Sequence, residues 1–238
     1  MSIVKSVLIY GYGEGTVGAS LAMALAGKPV HVFACWPTLS EMSQFEDIPN
    51  ITPLKLNPES PLGIQQAKEQ LMTRLSTGGL NILINAGYIG HESIRGCTVE
   101  RRAALWRSHI SSLDQISLAF RPLLIASRGT IVNLVNHEIA IYDLMIRKSH
   151  CGYCISFNPL TNWQESLPNA PIGIKSDTAR LCDELAPVGV KVMIIGPEGE
   201  NAGVNLISDG PGAWSDIPAL AEDIIRDIFR LPGEGRVL

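Results

Sequence analysis

The stretch Val7-Leu-Ile-Tyr-Gly-Tyr-Gly-Glu-Gly-Thr-Val-Gly18 runs without a break into Ala19-Ser-Leu-Ala-Met-Ala-Leu-Ala26. An apolar run of strand length stops at a cluster of glycines, and an Ala/Leu-rich helical pattern starts where the cluster ends. Gly13, Gly15 and Gly18 have the G-x-G-x-x-G spacing, with Gly11 ahead of them. Such a strand–turn–helix lets a pyrophosphate approach bare backbone at the helix N-terminus, where the N–H groups carry partial positive charge. The turn is therefore a dinucleotide-site candidate; the alternative is a glycine turn kept for packing alone.

Beyond it, Val30-His-Val-Phe-Ala-Cys35 reads as a second buried strand ended by Trp36-Pro37, and residues 40–45 as a short helical turn. Residues 51–56 form a third strand or an edge, and 63–76 have helical spacing through Ile64, Ala67, Leu71 and Leu75. Residues 80–87 are a fourth strand ending in a turn, 100–124 a long helix and 129–135 a fifth strand. A helix starting near Pro168 or Pro171 runs to Leu185, since proline suits a first helical turn. Residues 190–195 are a sixth strand, 218–229 a last helix and 236–238 a short seventh strand. Strands alternating with helices, most of the strands wholly apolar, predict a parallel sheet covered on both faces. The expected fold class is α/β, a doubly wound parallel sheet in a single domain over residues 1–238.

Composition narrows the function classes. With 238 residues, 46% of them apolar and 18% charged, the chain is a core-forming globular protein. A net charge of −4 without a basic cluster argues against nucleic acid as a partner. No window holds eighteen apolar residues and no leader pattern opens the chain, so no membrane partner and a cytoplasmic location are expected. Cys35, Cys97, Cys151, Cys154 and Cys182 are odd in number and scattered, unlike a disulfide framework.

Several segments together resemble the short-chain dehydrogenase/reductase family. Asn85-Ala-Gly87 after the fourth strand is similar to that family's Asn-Ala-Gly turn beside the cofactor. Gly129-Thr-Ile-Val-Asn133 is similar to the strand leading to its catalytic serine, and Glu184-Leu-Ala-Pro-Val-Gly-Val-Lys-Val192 to the stretch entering its sixth strand. Glu41-Met-Ser, Ile48-Pro-Asn-Ile-Thr52 and the helix over 219–229 look more like the fungal acyl-dihydroxyacetone-phosphate reductase branch. The resemblance implies a Rossmann-like fold, a cofactor cradled by Gly11, Gly13, Gly15, Gly18, Asn85, Ala86 and Gly87, and a homodimer paired through the long helix and the helix over 177–185.

It also implies a proton-donating tyrosine, a lysine four residues on, a carbonyl-orienting serine and a relay asparagine. The asparagine position, thirteen residues before Pro122, carries His109, and the serine position carries Asn136. The lysine falls near Pro171 and the tyrosine near Leu167. No other register supplies the pair, because Tyr10, Tyr12, Tyr88, Tyr142 and Tyr153 are followed four residues later by Glu14, Thr16, Glu92, Ile146 and Phe157. At the cofactor side, Cys35-Trp36-Pro37 replaces the ribose-binding acid, Asn57-Pro58 the adenine-binding aspartate, and Pro197-Glu198-Gly199 the family's Pro-Gly. The cofactor expected is none, or weakly bound NADP.

From Asn136 to Leu167 the chain is longer than the family's usual dozen residues, so a segment of about 137–166 is expected over the pocket at the carboxyl end of the sheet. His109, Asn136, His137, Glu138 and Tyr142 are the candidate catalytic residues; histidine titrates where proton transfer at neutral pH needs it. His109 could equally be a hydrogen-bonded helix residue, and His137 and Glu138 would point to opposite faces of a strand. Tyr88, Tyr153 and Trp163 are candidate surfaces for a flat small-molecule substrate, or loop anchors. His150-Cys-Gly-Tyr-Cys154 lacks the second ligand pair of a structural zinc site, so no metal is expected. Lys175 reads as a solvent-facing residue.

The expectation that follows is an atypical biosynthetic enzyme on a dehydrogenase scaffold. It would catalyse a non-redox cyclisation, isomerisation or cycloaddition of a small, polycyclic natural product. An NADP-dependent reductase with substitute proton donors, and a non-catalytic partner protein, are the alternatives.

Overall fold

The computed structural model describes residues 5–11, 16–38, 43, 45–75, 78–86, 99–134, 170–195, 221–222, 224–226 and 228, with the backbone alone of 99–110, 170–177 and 194–195. Among the described residues six strands form one sheet: β1 (Lys5–Tyr10), β2 (Val30–Trp36), β3 (Ile51–Lys55), β4 (Ile82–Asn85), β5 (Thr130–Leu134) and β6 (Lys191–Ile195). The spatial order is β3-β2-β1-β4-β5-β6 and every pairing is parallel. The chain goes out to one edge from β1, then returns to lay β4 against β1's other side. The point where the order reverses lies between β1 and β4. The expected doubly wound parallel sheet is therefore present.

Helices α1 (Val17–Ala24), α2 (Pro61–Met72), α3 (Val99–Ser127) and α4 (Ala170–Leu185) cover the sheet. Alternate strand residues separate its two faces. Val7, Ile9, Val32, Ala34, Ile84 and Val132 pack with Ala19, Leu21 and Ala22 of α1 and with Ala221, Ile224 and Ile228 near the end of the chain. Leu8, Tyr10, Phe33, Leu83 and Ile131 pack with α2, α3 and α4 through Ala67, Leu71, Ile116, Phe120, Leu124, Leu181 and Leu185. Burial on both faces is why these strands read as unbroken apolar runs. Each such Leu, Ile or Phe withdraws enough apolar surface to contribute about 1.5–3 kcal/mol.

Element ends differ from the sequence reading where local chemistry overrides periodicity. α2 starts earlier than residue 63, because the Ser60 hydroxyl accepts from the Gly63 N–H at 3.1 Å and Pro61 takes the first helical position. It also ends sooner, at Met72. α3 passes through Pro122 and ends at Ser127. Pro122 forfeits a helical hydrogen bond, yet buried Phe120, Leu123 and Leu124 hold the helix against the sheet on both sides of it. Pro53 is tolerated in β3 because β3 is an edge strand. The turn from α1 into β2 is held by Asn50, whose Nδ2 donates to the carbonyls of Leu25, Lys28 and Val30, and whose Oδ1 accepts from Gly27 N–H. The segment 137–166 and the strand expected at 236–238 lie outside the described residues.

Candidate active site

The carboxyl ends of β1 and β4 lie side by side, and Gly11, Gly18 and Ala86 come close together there. β1 ends at Tyr10 and the chain turns at Gly11, whose φ of 95° is the left-handed conformation that a side chain resists. α1 then begins after Thr16, whose hydroxyl accepts from the Ala19 N–H at 3.3 Å. A Cβ added to Gly18 would lie 2.5 Å from the Gly11 carbonyl oxygen and 3.4 Å from the Ala86 Cβ. Gly18 is thus the residue that lets α1 close down on the turn. Ala86 N–H donates to the Tyr10 carbonyl at 2.7 Å, pinning the start of the Asn85-Ala-Gly87 turn to the end of β1. Of the residues expected to cradle a cofactor, the fold brings Gly11, Gly18, Asn85 and Ala86 together; Gly13, Gly15 and Gly87 lie outside the described residues.

One cross-strand row runs beneath this point: Leu54, Cys35, Tyr10, Asn85, Asn133 and Ile194, each the register partner of the next. Tyr10 and Cys35 are too buried to serve as acids or nucleophiles. Burial pushes the Tyr10 phenol well above its usual range, against the smaller opposing effect of its hydrogen bond with Ser112, and burial alone does the same to the Cys35 thiol. Both stay protonated. Asn85 and Asn133 are joined side chain to side chain: Asn85 Nδ2 donates to Asn133 Oδ1 at 2.7 Å, and Asn133 Nδ2 to Thr178 Oγ1 at 2.9 Å. The sequence reading assigned Asn85 to the cofactor turn and gave Asn133 and Thr178 no role. A polar residue in an otherwise apolar strand was the signal available for Asn133.

At the end of β2 the alternation of the strand separates Cys35 from Trp36. Cys35 is buried on the α2 side, whereas Trp36 packs against the cluster that contains α1. It is therefore Trp36, half-buried, that stands on the α1 side of the sheet one strand away from the glycine turn. Its register partner across β3 is Lys55, which is exposed.

The catalytic candidates are less fully placed. His109 belongs to α3, one helical turn before Ser112. Ser112 is buried and bonds Tyr10 at the end of β1, so the helix carries position 109 beyond the carboxyl end of the sheet. Asn136, His137, Glu138, Tyr142, Tyr88, Tyr153, Trp163 and the His150–Cys154 motif lie outside the described residues. Among the described residues no three His, Cys, Asp or Glu side chains form a metal-binding group, and no helix is long and apolar enough to cross a membrane.

Known proteins match this geometry. The chain is 29% identical to the short-chain dehydrogenase ptmH of Penicillium ochrochloron and 28% identical to the short-chain dehydrogenase PC-15 of Penicillium crustosum. Each match covers 80% of this chain and 64% of the relative's own length. The crystal structure of a metagenomic short-chain oxidoreductase in complex with NADP superposes with a TM-score of 0.64, over 100% of this chain and 96% of that one, at 15% identity. This is the short-chain dehydrogenase fold. No family model matches the chain. The relatives in Penicillium support the short-chain dehydrogenase family without deciding among its branches.

Proposed function

We propose that this chain is an enzyme that keeps the short-chain dehydrogenase scaffold and performs non-redox chemistry in its pocket. The reaction is a cyclisation, isomerisation or cycloaddition of a small, polycyclic natural product, driven by acid/base groups or by shape. The observation that carries this reading is the lack of any Tyr-x-x-x-Lys in the sequence. Tyr10, at the carboxyl end of the sheet, is no substitute, because it is buried and held protonated. Proton transfer is assigned to His109 with His137, Glu138, Tyr142 and Asn136, and substrate stacking to Tyr88, Tyr153 and Trp163. The position of residue 109, one turn beyond Ser112, supports its part in this.

The residues at the cofactor end fit a dinucleotide in part. The close approach of Gly11, Gly18 and Ala86 suits a pyrophosphate at the start of α1. At the adenosine end Trp36 offers a ring and one indole N–H where a carboxylate would accept from ribose hydroxyls. NADP, when bound, supplies a hydride. We infer weak binding, or none.

A second reading, an NADP-dependent reductase with substitute proton donors, is favoured by one observation. Lys55 is an exposed cation beside Trp36, on the side of the sheet where a 2′-phosphate would lie. The NADP in the metagenomic neighbour and the names of the Penicillium relatives point the same way. The two readings separate on titration of the purified protein with NADPH and NADH, followed by fluorescence or heat. The non-redox reading expects dissociation constants weaker than about 1 μM, near −8.2 kcal/mol. Tighter binding, or turnover of NADPH with a carbonyl substrate, overturns it in favour of the reductase.

For assembly we propose a homodimer built on α3 and α4. Leu118 is 43% exposed on α3. Arg121 and Asp114 of α3 pair with Glu184 and Arg180 of α4, so the two helices lie side by side on one face of the protein. Light scattering at tens of micromolar should give twice the chain mass; a monomer rejects the proposal.

A further inference from the structure

Four polar side chains from four elements are buried together on the α3 side of the sheet. Asn85 ends β4, Asn133 lies in β5, Ser117 in α3 and Thr178 in α4, and none is more than 4% exposed. Asn85 Nδ2 donates to Asn133 Oδ1 at 2.7 Å and to Ser117 Oγ at 3.3 Å, while Asn133 Nδ2 donates to Thr178 Oγ1 at 2.9 Å. Both hydrogens of the Asn85 amide are used. Its Oδ1 has no hydrogen-bond partner among the described residues.

Reversing the amides does not remove the imbalance. Turning Asn85 alone sets two carbonyl oxygens against each other at the 2.7 Å contact. Turning both lets Asn133 Nδ2 and the Ser117 hydroxyl donate to Asn85 Oδ1 and lets Thr178 donate to Asn133, but then the Asn85 NH₂ is left over. Either way one end of this amide needs a further partner. In the orientation present, every donated hydrogen points away from Asn85 Oδ1, so the chain of bonds polarises that oxygen into a stronger acceptor.

We infer that the free end of the Asn85 amide binds one internal water molecule. The ligand must be small, because Asn85 is fully buried, and water can serve either amide orientation, donating to Oδ1 or accepting from the NH₂. A buried water also needs polar partners of its own. Tyr10 is the register partner of Asn85 and its phenol bonds the Ser112 side chain, so the neighbouring strand position carries a polar group. The bound water completes a polar joint between β4, β5, α3 and α4, and this inference stands apart from the reaction proposed above.

A crystal structure of the full chain at about 1.5 Å or better tests it. A solvent peak is expected within about 2.7–3.2 Å of the free amide atom, with displacement parameters close to those of Asn85 and absent from an Asn85→Leu variant. Should the variant not fold, water-to-protein cross-relaxation in the wild-type protein, read at the Asn85 side-chain NH₂, gives the second measurement, and a long-lived water contact is expected. An amide end that meets a protein donor or acceptor, or only carbon, overturns the inference. So does a water that persists unchanged in Asn85→Leu.

Discussion

Asn85 and Asn133 stand opposite one another on neighbouring parallel strands and share a 2.7 Å hydrogen bond between their side-chain amides. The strands they end and interrupt are otherwise apolar on this face, packed on Ile116 and Phe120. A slip of one residue in either strand would carry one amide to the opposite face and leave the other buried alone. The pair therefore favours this register of β4 against β5. Asn133→Ala should strand both Asn85 Nδ2 and the Thr178 hydroxyl, at about 1–3 kcal/mol for each group left unsatisfied. Urea unfolding measures this; an unchanged midpoint would show that the bond contributes nothing to stability.

Gly18 and Gly27 offer a controlled comparison. A Cβ on Gly18 collides with the Gly11 carbonyl, a backbone atom that cannot swing aside, whereas Gly27, at φ 71°, has nothing within 4 Å of that position. Gly27→Ala should cost about 1 kcal/mol through its positive φ alone. Gly18→Ala should cost more, about 1–3 kcal/mol, and should push α1 away from the turn. Thermal unfolding of the two variants side by side checks the order, and equal losses would contradict it.

His31 makes stability depend on pH at the amino end of the sheet. Its ring stacks on Phe33 with centroids 4.4 Å apart, and its Nε2 lies 2.8 Å from the Thr52 hydroxyl, which also receives Arg74. Burial, and then the Arg74 charge, hold the imidazole below its ordinary pKa. The unfolded chain therefore takes up the proton first as pH falls. Stability should be level above about pH 6.5, decline below it, and level again once the folded form is also protonated. Unfolding curves from about pH 7.5 to 5.5 should show this decline in the wild type and lose part of it in His31→Gln. Identical pH profiles would refute the assignment.

The proposed chemistry predicts a pattern across five variants: His109→Ala, His137→Ala, Glu138→Gln, Tyr142→Phe and Trp163→Ala. A group that transfers a proton in the rate-limiting step should lose roughly 10²–10⁴ in rate when removed. If shape alone directs the reaction, His109→Ala does little, and Trp163→Ala raises KM and loosens product selectivity. Activity on the physiological substrate, with folding checked by circular dichroism, separates the two. Near-normal activity in all five would place the active site elsewhere.

The parallel doubly wound sheet could be read from the chain because burial on both faces demands unbroken apolar strands, and Val7-Leu-Ile, Val30-His-Val-Phe-Ala and Ile131-Val fulfil that demand locally. The need for glycine at positions 11 and 18 was equally legible, since backbone geometry requires the one and close packing the other. The absence of any Tyr-x-x-x-Lys is likewise a property of sequence alone. Helix ends were not: the spacing carries α3 to Leu124 while the packed helix runs on to Ser127, and the Ser60 cap starts α2 ahead of its apolar period. Nor was the choice between Cys35 and Trp36, neighbours that alternation sends to opposite faces once β2 has a register against β1 and β3. The partnership of Asn85 with Asn133, Ser117 and Thr178 lay furthest from view. Those residues are between 32 and 48 positions apart along the chain where they bond Asn85 or each other, and only the packing of two helices on two strands decides that they meet.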